Sequence, residues 1–313
     1  MSYVIRRILL LLVTLMLVSL ITFFVFQIMP GNPARIMLGT EASDTEVLQL
    51  EKQLGLDKPL LIQYTDWMKG IITADFGVSI KYSKPVSDLI LSRLPVTLSL
   101  ALMSIIIVVV VAIPLGIFMA QRQNKVSDLF FSSVTQLGMA IPPFWFGMLL
   151  IMYLGMVFSF FSVSGYVPWS ESVQGALGSL LLPAVTIALP QIAIKFRYVR
   201  NSIIEQLGQD YVRTVQSRGL SAKLIMFKHI LKNAMIPILT IFGLIVTEIV
   251  AGTVIVEQVF GLPGVGSLLV SSINYRDFPL VQGIIMYITV AVVFVNFIID
   301  MLYTVMDPRI RLE

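Results

Sequence analysis

Cysteine is absent from the chain, histidine occurs once, and charged residues make up only 13% of the 313 residues. The first absence excludes disulfides, thiolate metal sites and cysteine nucleophiles. The second leaves His229 as the only imidazole, and it falls in a basic stretch read as solvated. One such residue cannot build a common transition-metal site or a credible Ser-His-Asp arrangement. The third leaves too little charge to coat a water-facing surface, since a soluble domain carries roughly 25%. No Gly-x-x-x-x-Gly-Lys-Ser/Thr loop occurs either, so the chain shows no ATP site of its own. What it has in quantity is apolar length: 57% hydrophobic residues and a mean hydropathy of +0.90. It reads as an integral membrane protein. The net charge of +4 is then the excess expected of cytoplasmic loops, not a nucleic-acid face.

About 20 helical residues cross the roughly 30 Å of bilayer hydrocarbon. Six nearly charge-free runs meet that length: Ile8 to Gln27, Leu94 to Gln121, Leu129 to Ser170, Ser172 to Ile194, Asn233 to Val256 (interrupted by Glu248) and Phe278 to Ile299. Runs so long and continuous predict helices, because barrel strands alternate over about 10 residues. The third run is too long for one straight span and could turn at Pro142-Pro143 into two. Charge argues for one. The stretch 195–232 holds eight Lys/Arg against two Asp/Glu, and Arg6, Arg7, Arg309 and Arg311 mark the two ends. Six spans put all of these on the cytoplasmic side, with Arg122 and Lys125, whereas a seventh would separate them. Both termini are therefore expected inside. Gly165, Pro168 and Trp169 then fall in an outer loop. The first run is expected to stay as an anchor, because Ile28-Met29-Pro30 is no small-residue cleavage site.

Three regions follow: an anchor and first span over 1–30, an extracytoplasmic helical cap over 31–93, and a core over 94–313 with a cytoplasmic loop at 201–232. The cap has balanced charge, seven Lys/Arg against eight Asp/Glu. Ser43 and Glu46 have capping-box spacing before a helix that Gly55 can close. After Pro59 a second helix is expected to place Leu60, Leu61, Tyr64, Trp67, Met68 and Ile71 on one face. Scaffolding and a docking surface for an outer partner both fit this pattern. In the inner loop, Asp210 to Arg218 predicts a short helix that Gly219 breaks. Ser221 can cap a second one, with Leu224, Ile225, Phe227, Ile230, Leu231 and Met235 mostly to one side and Lys228 and Lys232 to another. The pair reads either as a projecting knob or as an amphipathic surface pair with its lysines on anionic headgroups.

Glu248 is the one ionisable residue well inside a span. A carboxylate there costs about 2.5–3.5 kcal/mol, so it should face protein or water. A polar point on a translocation path and a structural hydrogen bond between helices both fit. Asp300 is read as structural and Glu257 as interfacial. Gly243, Ala251 and Gly252 would let the fifth span pack closely. The interior lacks the rings or relays of charge that channels and proton-driven carriers need.

The chain resembles, along its whole length, the permease subunits of dipeptide/oligopeptide/nickel ABC importers. The residues that carry this are Arg6-Arg7, Met29-Pro30-Gly31-Asn32-Pro33-Ala34, Leu54-Gly55-Leu56-Asp57-Lys58-Pro59-Leu60, Asp75-Phe76-Gly77, Arg93-Leu94-Pro95-Val96-Thr97-Leu98, Ile113-Pro114-Leu115-Gly116, Ile141-Pro142-Pro143-Phe144-Trp145, Leu182-Pro183-Ala184, Asp210-Tyr211-Val212-Arg213-Thr214, Arg218-Gly219-Leu220, Val256-Glu257-Gln258-Val259-Phe260, Pro263-Gly264-Val265-Gly266 and Asp307-Pro308-Arg309-Ile310-Arg311. The resemblance implies an all-α membrane protein with the type I ABC importer permease fold, in a bacterial or archaeal cytoplasmic membrane. It implies that the inner helix pair is the coupling element that docks on an ATPase. Arg213-Thr214-Val215 stands there in place of the generic Glu-Ala-Ala start, so no salt bridge of that Glu carries over. The coupling residues become Asp210, Tyr211, Arg213, Thr214, Arg218, Gly219, Leu220, Ser221 and Lys223, and Glu248 is a candidate for the pathway. The implied partners are a second homologous permease, two ATPases that bind the ATP and Mg, an extracytoplasmic binding protein and the bilayer, with no nucleic acid. ATP binding would favour an outward-facing state and its hydrolysis products an inward-facing one. Without cysteine or a membrane histidine, peptides are favoured as cargo over nickel or a metallophore complex. An ion-driven secondary carrier and a membrane scaffold without transport are the readings from other classes.

Overall fold

The computed structural model describes residues 2–28, 33–39, 42–155 and 165–306. Met29 to Asn32, the 156–164 part of the third run and Asp307 to Arg311 lie outside the described residues, and with them the topological Arg309 and Arg311. Regular structure among the described residues is helical apart from a single bridge between Val78 and Pro85. In chain order the helices are α1 (Ser2–Ile28), α2 (Pro33–Leu38), α3 (Asp44–Leu54), α4 (Leu60–Ile72), α5 (Val86–Ala120), α6 (Val126–Ala140), α7 (Pro143–Leu150), α8 (Val173–Leu207), α9 (Asp210–Ser217), α10 (Ala222–Leu224), α11 (Leu231–Gly243), α12 (Ile245–Phe260), α13 (Val265–Asn274) and α14 (Phe278–Met306). Among the described residues five helices are long and apolar enough to cross a membrane: Val4–Ile28, Val86–Ala120, Val173–Leu207, Pro237–Phe260 and Phe278–Met301. They match runs one, two, four, five and six.

The third run is not one straight span, as its length predicts: its described part is a bent helix pair. Its helices Val126–Ala140 and Pro143–Leu154 meet at a bend of 101°, and six candidate spans result if the pair counts as one. The cause is local. Pro142 and Pro143 together remove two backbone donors, and each disfavours the helical conformation for the residue before it. Two expected boundaries also move. α5 begins at Val86 rather than Leu94, and α8 continues to Leu207 rather than stopping at Ile194. A charged side chain marks where an apolar run stops; it does not stop a helix.

The chain forms two compact units. One comprises Met1–Pro95 and Gly264–Phe297, the other Val96–Pro263 and Ile298–Glu313. The core of the first is Val86, Ile90, Val265, Leu268, Leu280 and Ile284. Its α3 carries the expected cap: Ser43 Oγ accepts from the Glu46 amide, Glu46 Oε2 accepts from the Ser43 amide at 2.9 Å, and Gly55 closes the helix at φ +68°. α4 lies along α1. The Tyr64 hydroxyl is 2.8 Å from Ser19 Oγ, and the Phe23 ring sits 5.4 Å from Tyr64 and 5.9 Å from Trp67. Leu60 and Leu61, expected on one face with Tyr64 and Trp67, are exposed. In the second unit α6, α7, α11 and α12 all pack on α8. Gly116 lets α5 approach α8, since a Cβ there would stand 2.6 Å from Val199 Cγ1.

Candidate functional site

The cytoplasmic loop expected over 201–232 is shorter than its charge suggests. Residues 201–207 are still α8, and from Ala222 to Gly243 the chain is one helical run with a π turn at Ile225–Ile230. Between them lies α9. Its Val212 is buried among Val199, Ile203, Ile225, Met226 and Ile230, with Tyr211 and Val215 packed alongside. The Tyr211 hydroxyl donates to Gln206 Oε1 at 3.0 Å. The apolar side of α9 is thus occupied by its own protein. Arg213 approaches Asp210 at 3.7 Å, but both side chains are mostly in water, where such pairs add little.

Gly219 turns the chain at φ +74°. A Cβ there would meet nothing within 4 Å. The demand for glycine is therefore one of backbone conformation and not of space. Ser221 Oγ then accepts from the Leu224 amide at 3.4 Å and starts the next helix. The residues from Gln216 to Leu224 are all exposed, which brings Arg218, Gly219, Leu220, Ser221 and Lys223 onto one continuous surface with Arg213 and Thr214. Beside it opens a groove of about 1060 Å³, lined in part by Pro114, Phe118, Gln121, Leu220, Lys223 and Phe227. The π turn alters the expected face. Ile225, Met226 and Ile230 are buried while Leu224 and Phe227 point outward, because five-residue bonding widens the turn. His229, expected to be solvated, is half-buried in that turn.

The charges inside the helices were harder to anticipate. Glu248 Oε2 accepts from Lys195 Nζ at 2.8 Å. Lys195 is the residue that ends the fourth apolar run, and sequence reasoning counted it among the loop cations. It is instead buried on α8. Arg200, counted the same way, donates from Nε and NH2 to the two oxygens of Asp128, both at 2.6 Å, and Asp128 also accepts from the Asn124 amide at 3.1 Å. Glu257, expected at the interface, is fully buried, and its Oε1 accepts from Thr97 Oγ1 at 2.7 Å. The only available signal was parity: a cation and an acid each embedded in apolar sequence need partners. Among the described residues no three His, Asp or Glu side chains gather in a way that could hold a metal ion.

Two family models cover the chain. That of the binding-protein-dependent transport system inner membrane component matches residues 112–312, and that of the N-terminal part of such membrane components matches residues 1–101. A putative peptide transport system permease protein of Brucella abortus is 38% identical over 96% of this chain and 95% of its own. An oligopeptide transport system permease protein of Bacillus subtilis is 36% identical over 99% of each chain. A glutathione transport system permease protein of Escherichia coli is 35% identical, again over 99% of each. With the multiple apolar helices, these matches make the chain a multi-pass component of the inner membrane, belonging to the family of binding-protein-dependent ABC transport permeases.

Proposed function

We propose that this chain is one permease subunit of an ATP-driven importer that translocates short peptides delivered by an extracytoplasmic binding protein. It pairs with a second, homologous permease above two ATPases, with both of its termini in the cytoplasm and the 31–93 segment outside. The observation that carries this reading is the attachment of the exposed 216–224 surface to α8 through Val212 and Tyr211. α8 has 35 residues, a lever of about 52 Å at 1.5 Å per residue. An ATPase that grips the Gly219 bend differently in its two nucleotide states would shift that lever, which is the differential contact any population shift requires. The names of the relatives, peptide and glutathione permeases, support a peptide as cargo. Glu248 belongs in this reading to the route the cargo takes.

The test is uptake of labelled peptide by the reconstituted four-subunit membrane complex with its binding protein. Gly219→Pro, or deletion of 213–223, should abolish uptake while the chain still inserts and co-purifies with the second permease. Full uptake by either variant would refute the coupling role, and uptake that persists without ATP but collapses with an uncoupler would point to an ion-driven carrier.

A further inference from the structure

α12 has two unlike sides. Ile245, Ile249, Thr253, Val256 and Phe260 are buried, whereas Leu244, Glu248, Ala251, Ile255 and Gln258 form an exposed stripe at helical spacing. Glu248 is the only ionisable residue on that stripe. Its ion pair with Lys195 is lopsided: the lysine side chain is 2% exposed and the glutamate 41%. The pair therefore turns its negative end outward and hides its positive one. Only Oε2 is engaged by Lys195, and no described residue bonds Oε1. One helical turn before Lys195 on α8, Gln191 Oε1 is a buried acceptor with no partner among the described residues. An open carboxylate oxygen on α12 and an unused buried amide oxygen on α8 thus stand within a helical turn of the Lys195–Glu248 pair in sequence. Hydrocarbon is a poor surrounding for such a group, so the stripe belongs against water or protein.

We infer that Glu248, oriented by Lys195, is a station for the cationic end of the translocated solute, the α-ammonium of a peptide; this rests on the peptide-import reading above. Lys195, buried behind Oε2, offsets only part of the carboxylate's field on its exposed side. A passing ammonium is therefore attracted without meeting a full uncompensated charge, and it can leave again, which conduction requires. Lys195 is a positioning residue here, and Glu248 is the group that touches cargo.

The chain has no cysteine, so Ala251→Cys introduces a single thiol one turn from Glu248. In the assembled transporter with cysteine-free partners, its labelling rates with a cationic and an anionic methanethiosulfonate are compared, with Glu248 present and in the Glu248→Gln background. The cationic reagent should react about fivefold faster when Glu248 is present, the order expected for a partly compensated charge within a helical turn in partly hydrated surroundings. In Glu248→Gln the preference should vanish or reverse, because Lys195 is then unpaired. A peptide with a free amine should slow labelling, and its N-acetylated analogue should not. Ile255→Cys serves the same purpose if Ala251→Cys fails to insert. No labelling from water at either position, which would put the stripe against lipid or the second permease, overturns the station, as does a charge preference unchanged by Glu248→Gln. If the parent transporter takes up no peptide at all, the peptide reading falls and takes the cargo assignment with it; normal peptide uptake with an unchanged preference removes the station alone.

Discussion

Arg200 grips Asp128 with two parallel hydrogen bonds of 2.6 Å, and the carboxylate side chain is only 3% exposed. This ties the start of α6 to α8, on which the other arm of the bent pair, α7, also packs. A planar guanidinium matches a carboxylate in a way that an ammonium cannot. Arg200→Leu would leave a buried charge without its partner, at a cost of about 3–5 kcal/mol. Thermal unfolding in detergent should show a large loss for Arg200→Leu, a smaller one for Arg200→Lys, and substantial recovery when Asp128→Leu is added. A melting temperature for Arg200→Leu equal to that of the parent would show that the pair contributes nothing.

At Gly219 the open space around the missing Cβ makes the substitution order predictable. Asn tolerates the left-handed conformation, Ala strains by about 1–2 kcal/mol, and a β-branched residue suffers more. Uptake should follow the same order, with Gly219→Asn within about twofold of the parent and Gly219→Val lowest. If Gly219→Asn and Gly219→Val transport equally well, the backbone at this bend is not what limits coupling.

How legible these features were depended on the range of the interactions that set them. The Ser43 and Glu46 cap, the Gly55 stop and the Gly219 break are decided within a few residues, and each stood where the sequence put it. The apolar runs gave the long helices for the same reason. The side-chain register after Ser221 was not legible, because a π turn shifts the buried face to Ile225, Met226 and Ile230 without any change of composition. Lys195 and Arg200 were read as loop cations because a charge count along the chain cannot tell a solvated cation from one that meets an acid 53 or 72 positions away. The bend at Pro142-Pro143 was visible as a break, but its 101° geometry depends on packing against α8.

Asp277 ties a loop to the start of a helix. It is fully buried, and it accepts from Ser79 Oγ, from the Ile80 and Lys81 amides at 3.1 Å each, and from the Leu280 amide at 3.3 Å at the start of α14. Asp277→Ala orphans these donors together, and each one that stays buried costs about 1–3 kcal/mol. Hydrogen exchange at residues 79–82 and 278–281 should accelerate in both segments at once. Ser79→Ala removes one donor and should loosen the loop with little effect on α14. Acceleration confined to one segment in Asp277→Ala would mean that the two are not joined through this carboxylate.

The Glu46 carboxyl sits below its ordinary range because it accepts hydrogen bonds from the Ser43 side chain and backbone amide. A carboxylate whose folded pKa is depressed stabilises the fold above its unfolded pKa, near 4.5, and that contribution is lost as pH falls through the lower, folded value. α3 should therefore keep its protection through neutral and mildly acidic pH and fray only below the ordinary carboxylate range. Ser43→Ala removes both the acceptor for the Glu46 amide and the hydroxyl donor to the carboxylate, so it should lower protection over 44–54 at neutral pH and flatten the acid dependence. Amide exchange of this segment, corrected for intrinsic rates and compared between about pH 7 and pH 3, checks both. An acid dependence in Ser43→Ala as steep as in the parent would mean that a carboxylate other than Glu46 governs the helix.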